Sequence, residues 1–106
     1  MLFELRQYTI NEGRREDFVR LMEEQIIPFQ VSKGMTILGS FTSEEDDNTY
    51  IWIRRFHSEE ERERLYEDVY GSDYWRDEIA PHVSEMMSRD SISVQRLEAT
   101  PRSPIQ

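Results

Sequence analysis

Apolar and polar positions along this chain switch between a period of two and a period near 3.6, and the switches delimit its elements. Residues 2–10 set Phe3, Leu5, Gln7 and Thr9 on one side and Glu4, Arg6 and Tyr8 on the other, which predicts a strand with one dry and one mixed face. Asn11-Glu12-Gly13 is a turn. From about Arg14 to Lys33, Phe18, Leu21, Met22, Ile26 and Phe29 recur at three- and four-residue steps and predict an amphipathic helix. Gly13 is the expected N-cap, with Glu16 and Asp17 at the positive end of the helix dipole. Pro28 lacks an amide donor and crowds the preceding turn, so a kink or break is expected near Ile27. Gly34 then supplies a left-handed C-cap. Met35 to Thr42 reads as a second strand, residues 43–48 as a polar hairpin connection, and Thr49 to Phe56, rich in aromatic and β-branched residues, as a third strand.

Ser58-Glu59-Glu60-Glu61 has the form of a capping box and opens a helix to about Tyr70, with Leu65, Tyr66, Val69 and Tyr70 turned inward and Gly71 as its stop. Ser72 and Asp73 can cap a further helical stretch, Tyr74 to Met87, which Pro81 divides or bends. Its apolar members are Trp75, Ile79, Val83, Met86 and Met87. Ser91 to Leu97 alternates around Ile92 and Val94 as a fourth strand. The order β-α-β-β-α-β predicts an α+β, ferredoxin-like domain over residues 1–99 with a four-stranded antiparallel sheet, followed by a loose tail over residues 100–106.

Helices cover one face of such a sheet. The face with Phe3, Leu5, Ile51 and Ile53 is expected beneath them. The other face would then show Glu4, Arg6, Tyr8, Tyr50, Trp52, Arg54 and Phe56, a large aromatic surface for a small monomer to leave wet, so a homodimer packed through that sheet face is expected.

Composition narrows the function. Thirteen Lys and Arg against 22 Asp and Glu leave a net charge of −9, which argues against nucleic acid and against anionic membrane surfaces as partners. The absence of cysteine removes disulfides, thiolate catalysis and Cys-ligated metals, and suits a cytoplasmic location. No apolar run approaches the roughly 20 residues of a membrane span, and Met1 to Arg6 lacks the basic and apolar segments of a signal peptide. There is no Gly-rich phosphate loop, no Gly-x-Ser-x-Gly elbow and no His-Glu-x-x-His motif, so kinase, hydrolase and dehydrogenase readings have no support, and no cofactor is expected.

The segment Phe3-Glu4-Leu5-Arg6-Gln7-Tyr8-Thr9-Ile10 with Gly13-Arg14-Arg15-Glu16-Asp17-Phe18 resembles the NIPSNAP family. So do Ile26-Ile27-Pro28-Phe29 with Gly34-Met35, and Tyr50-Ile51-Trp52-Ile53-Arg54-Arg55-Phe56; the likeness runs from about residue 2 to residue 97. The resemblance implies a dimeric α/β barrel in which two ferredoxin-like subunits pack sheet to sheet. The wider group includes cofactor-free monooxygenases of aromatic polyketides and haem-degrading monooxygenases, so fold membership leaves the reaction open.

Candidate chemistry centres on a few side chains. Arg6 and Arg54 can hold a carboxylate or enolate in two-point contact, and Tyr8 can donate a proton or orient an oxyanion. With Glu4 they equally compose a charge-neutralising network. His82, beside an apolar stripe, is a candidate proton shuttle, or a haem ligand by likeness to the haem-degrading relatives. His57, at a strand-to-helix junction, reads as exposed. Tyr50, Trp52, Phe56 and Trp75, with Glu4, are candidate walls of a site for a small hydrophobic or aromatic ligand, although aromatics also fill interfaces. The acidic runs Glu44 to Asp47 and Glu59 to Glu61 read as solvated surface and helix capping. Two functions follow: a cofactor-free enzyme acting on an electron-rich aromatic metabolite, or a non-enzymatic binding or structural dimer.

Overall fold

The computed structural model describes residues 1–106. Four strands, β1 (Leu2–Thr9), β2 (Thr36–Thr42), β3 (Thr49–Phe56) and β4 (Ser93–Leu97), form one antiparallel sheet in the order β2-β3-β1-β4. The helices are α1 (Arg15–Leu21), α2 (Ile27–Ser32), α3 (Glu59–Tyr70) and α4 (Ala80–Met86). This is the ferredoxin-like α+β arrangement, with β1 and β3 at the centre of the sheet and β2 and β4 at its edges.

Local signals act where the side chains predict. Ser58 caps α3 by accepting the Glu61 amide at 3.1 Å, while Glu61 reaches back to the His57 amide at 3.1 Å, one residue before the cap. Gly34 adopts φ +109° after α2, the region where a side chain costs most. At the start of α1 the cap position is Arg14, one residue later than expected, and Gly13 instead makes the preceding turn at φ +78°. The fourth strand begins two residues later than its pattern, because residues 89–91 wind into a 3-10 turn.

The prolines do not break their helices. A π turn, Met22–Ile26, joins α1 to α2, and a second, Trp75–Ile79, leads into α4. Each is followed by a proline in the first turn of the next helix, Pro28 and Pro81. A proline lacks the amide that would bond four residues back and its ring crowds that carbonyl. Those carbonyls belong to Glu24 and Asp77, and both lie inside the widened turns. Widening relieves the crowding while the rod continues.

The faces of the sheet are the reverse of the expectation. Tyr8, Tyr50, Trp52 and Phe56 are buried, as are Glu4 and Arg54, and Arg6 lies beside them; all are on the helix side. Tyr8, Tyr50 and Trp52 join Phe18, Met22, Ile26 and Ile79 in the main core. Phe56 packs with Met35, Leu65 and Val69 in a second cluster. The physical reason is area: three large aromatic side chains on alternate positions of β3 outweigh Ile51 and Ile53 in surface removed from water. The charges that share their face are tolerated because they pair. Leu5, Ile51 and Ile53, half-buried, lie on the open face with Phe41 (53 % exposed) and Leu97 (39 % exposed). At one corner of that face the tail docks, its Gln106 carbonyl accepting from Arg55, the cross-strand neighbour of Phe3.

Candidate functional site

Between the sheet and the helices lies an open cavity of about 640 Å³. Arg6, Tyr8 and Trp52 of the central strands form its floor, and Tyr66 and Tyr70 of α3 one wall. The two π turns contribute Met22, Ile26, Trp75 and Arg76, and α4 adds Val83 and Ser84. π turns are rare and concentrate at functional sites, so their convergence on one cavity is an observation independent of its size. The walls are mainly apolar. Their charged members are Arg6, Arg76 and Arg89; no carboxylate or imidazole lines the cavity, although the chain as a whole carries −9.

Behind the floor lies a buried polar cluster whose centre is set by strand register. Glu4 and Arg54 are cross-strand partners, both wholly buried, and pair at 2.7 Å. Arg54 gives Nε and Nη2 to Glu4 at 3.1 and 2.7 Å, Nη2 also to the Tyr66 hydroxyl at 2.7 Å, and Nη1 to Gln30 at 2.9 Å and Tyr70 at 2.7 Å. Its guanidinium stacks 4.7 Å above the Trp52 ring. Arg62 of α3 donates to the other Glu4 oxygen at 2.7 Å, and the Tyr66 hydroxyl donates to Glu4 at 2.7–2.9 Å. Burial alone would raise the Glu4 pKa; the Arg54 charge and the bonds from Tyr66, Arg62 and Arg54 outweigh it and hold the carboxyl below its ordinary value. Burial pushes the Tyr66 phenol up to about 12.

Arg6 stands at the boundary between cluster and cavity. Its Nε donates to the Tyr8 hydroxyl at 3.0 Å and its Nη1 to Tyr66 at 3.3 Å, with Glu4 at 3.9 Å. Trp52 Nε1 donates to the same Tyr8 hydroxyl at 2.9 Å. Burial raises the Tyr8 pKa despite Arg6 beside it, so the phenol stays protonated at neutral pH. Glu4 thus faces three guanidinium groups, of Arg54, Arg62 and Arg6; Arg62 is shared with Glu59 at 3.1 Å, and Arg6 is the one that lines the cavity.

Of the side chains singled out in the sequence, Arg6, Tyr8, Trp52 and Trp75 line the cavity together. Glu4 and Arg54 support it from behind. Tyr50 bonds Ser40 at 2.6 Å and Phe56 packs in the second cluster, both away from the cavity. His82 is exposed on α4 and outside the cavity lining, and His57 is exposed at the start of α3. A haem held on His82 would therefore lie on the outer surface, apart from Arg6 and Tyr8. Tyr66, Tyr70, Gln30 and Arg62 belong to the site although their patterns gave them no chemical role; the available signal was two phenols one turn apart on an otherwise Glu- and Arg-rich helix.

The architecture is shared with solved proteins. A protein of Agrobacterium tumefaciens superposes with a TM-score of 0.90 at 20 % identity, each chain covered over 100 % of its length. A NIPSNAP family protein of the same organism gives 0.86 at 21 % identity, covering 99 % of this chain and 98 % of its own. More distant is a structure described as an antibiotic biosynthesis monooxygenase, with a TM-score of 0.68, 14 % identity, and coverage of 95 % and 100 %. At these identities the likeness is one of fold. No curated protein matches the chain by sequence. The sequence profile of the NIPSNAP family matches residues 3–104, nearly the whole chain, and the chain therefore belongs to the NIPSNAP family.

Proposed function

We propose that this protein is a cofactor-free enzyme of the cytoplasm whose cavity takes a compact, largely apolar metabolite with one acidic oxygen. The observation that carries this reading is the sign of the cavity: in a chain of net charge −9, the wall charges are arginines alone. A ligand site is commonly an apolar cleft with a few placed polar groups, and here the placed groups suit an anion. Arg6 stabilises the enolate or phenolate form of an electron-rich aromatic substrate. That anion reduces dioxygen directly, one oxygen atom entering the substrate as a carbonyl and the other leaving as water, with all four electrons drawn from the substrate carbon, whose two C–H bonds are replaced by the C=O bond and whose two hydrogens leave in the water. The distant likeness to a monooxygenase fold is in keeping with this but adds only the fold.

The test is a panel of phenols and polycyclic enols offered to the metal-free protein in an oxygen electrode, with binding followed in parallel by calorimetry. Oxygen uptake that Arg6→Gln abolishes supports the reading. Binding without uptake supports a ligand-holding role instead. The specific observation behind that second reading is that no carboxylate or imidazole lines the cavity to take a proton. Absence of binding across the panel sinks both.

A homodimer belongs to the same proposal, through the face opposite to the aromatic one. Leu5, Ile51, Ile53, Phe41 and Leu97 make the open sheet face apolar, and a second copy laid sheet to sheet covers it, as the family likeness implies. Light scattering on wild type and Ile53→Asp tests this: a monomer in the wild type refutes it, and a monomer only in the variant supports it.

A further inference from the structure

We infer that Arg6, Tyr8 and Tyr70 form a cradle of donors for a single oxyanion, so that the cavity selects the ionised form of its ligand. The inference deepens the proposed function and rests on a ligand entering that cavity. Its basis is a count of protons. The Tyr8 oxygen accepts from Arg6 Nε and from Trp52 Nε1, at 3.0 and 2.9 Å, and the Tyr70 oxygen accepts from Arg54 Nη1 and from Gln30 Nε2, at 2.7 and 3.3 Å. A phenol oxygen has two lone-pair positions and one proton. In both tyrosines the acceptor capacity is consumed by the protein, and neither hydroxyl proton has an acceptor in the protein.

Tyr66 is the internal comparison. Its oxygen also accepts from two guanidinium groups, those of Arg54 and Arg6, but its proton goes to Glu4. Arg6 adds the third donor. Its Nε and Nη1 are engaged, Nη2 makes no hydrogen bond, and Nη2 is not sealed away, since the one buried polar side-chain atom lacking a partner is Asn48 Oδ1. Arg6, Tyr8 and Tyr70 all line the same cavity. Tyr66 accepts from both Arg6 and Arg54, and Arg54 donates to Tyr70, so the three donors hang on one hydrogen-bonded frame.

A frame that offers donors and no acceptor discriminates between protonation states. A neutral phenol or enol brings its own proton, which finds no acceptor among these three groups. The oxyanion brings none and accepts all three, without the groups having to reorganise. Tyr70 is thereby a ligand-binding residue, and Arg54 and Gln30 are positioning residues that fix its hydroxyl. The class of ligand is a phenolate, enolate or carboxylate on a compact apolar body.

The experiment titrates bound 4-nitrophenol by its own absorbance, which separates phenol from phenolate, with the protein in excess and across neutral pH. The expected result is a bound pKa at least one unit below that of the free probe, equivalent to an about tenfold preference for the phenolate. Tyr70→Phe, which keeps the ring and removes the donor, is expected to cut that preference by about threefold or more at unchanged far-UV circular dichroism. Benzoate against benzamide provides a second reading of the same property, with benzoate expected to bind at least about tenfold tighter, because the amide brings donors of its own. Binding of 4-nitrophenol with an unshifted or raised pKa overturns the cradle and leaves the cavity reading standing. No binding of 4-nitrophenol or benzoate overturns both.

Discussion

Replacing Glu4 by Gln is the most informative perturbation of the fold, because the buried charge balance of the molecule hinges on that carboxylate. Glu4 and Arg54 have no solvent exposure, and Glu4 receives hydrogen bonds from Arg54, Arg62 and Tyr66 at 2.7–3.1 Å. The amide can accept on one atom only. Its other atom becomes a donor facing a donor, and the Arg54 charge loses its counterion where water cannot replace it. Breaking a buried pair from one side costs about 3–5 kcal/mol. At about 4–8 °C per kcal/mol for a domain of this size, the melting temperature falls by roughly 12 °C or more. Urea unfolding followed by circular dichroism measures the loss directly, and an unchanged slope assigns it to the native state. The double variant Glu4→Leu with Arg54→Met removes both charges and is expected to recover most of the stability. The same linkage appears in wild type as acid sensitivity. The Glu4 pKa is lowered by folding, so its contribution is complete above the ordinary value of 4.5 and is lost as pH falls through the lower folded value. If Glu4→Gln costs less than about 1 kcal/mol, as an exposed pair would, the carboxylate is in water and the placing of this sheet face beneath the helices is wrong.

Three further outcomes are expected. Ser58→Ala removes the acceptor for the Glu61 amide and lowers stability by about 1 kcal/mol, read from the same urea transitions; no change would mean that water caps the helix equally well. Gly34→Ala forces a side chain into φ +109° and places its Cβ 3.4 Å from Leu65, with an expected loss of about 1 kcal/mol, whereas a gain would contradict the left-handed turn. Tyr50 and Tyr66 titrate at about 12, both raised by burial, so their neutral forms contribute stability that is complete below the ordinary value of 10 and disappears as pH rises toward 12; ultraviolet titration should show these phenols ionising late, together with unfolding, and early ionisation would refute their burial.

The element order was legible because each boundary has a local cause. The β3 range, the Ser58 cap and the Gly34 turn depend on residues adjacent in sequence, and each stands where its pattern put it. The assignment of faces was not local. β1 and β3 carry apolar groups on both sides, so alternation alone does not say which side is covered. The answer depended on the greater area of Tyr50, Trp52 and Phe56 and on Arg54 finding Glu4 across the sheet. Pro28 and Pro81 announced an irregularity, but not that the rod would continue through a π turn rather than break. Arg6, Tyr8, Trp52 and Trp75 were recognisable as candidates by type. Tyr70 was not, since its significance comes from Arg54 and Gln30 occupying its oxygen, a contact spanning helix and sheet.

The Glu4–Arg54 pair also bears on how the chain finds its pairing. Shifting β1 by one residue against β3 would turn Phe3 and Leu5 under the helices. Hydrophobicity would oppose that slip only weakly, because both faces of these strands can be buried. Charge opposes it strongly. A slipped β1 withdraws Glu4 and leaves Arg54 enclosed without a counterion, so the misaligned sheet cannot close over its core. The two residues lie 50 positions apart and on the same rung of the central hairpinless pair, β1 with β3. In the folded state the pair therefore favours the native register of a long-range pairing that oily side chains alone would leave ambiguous.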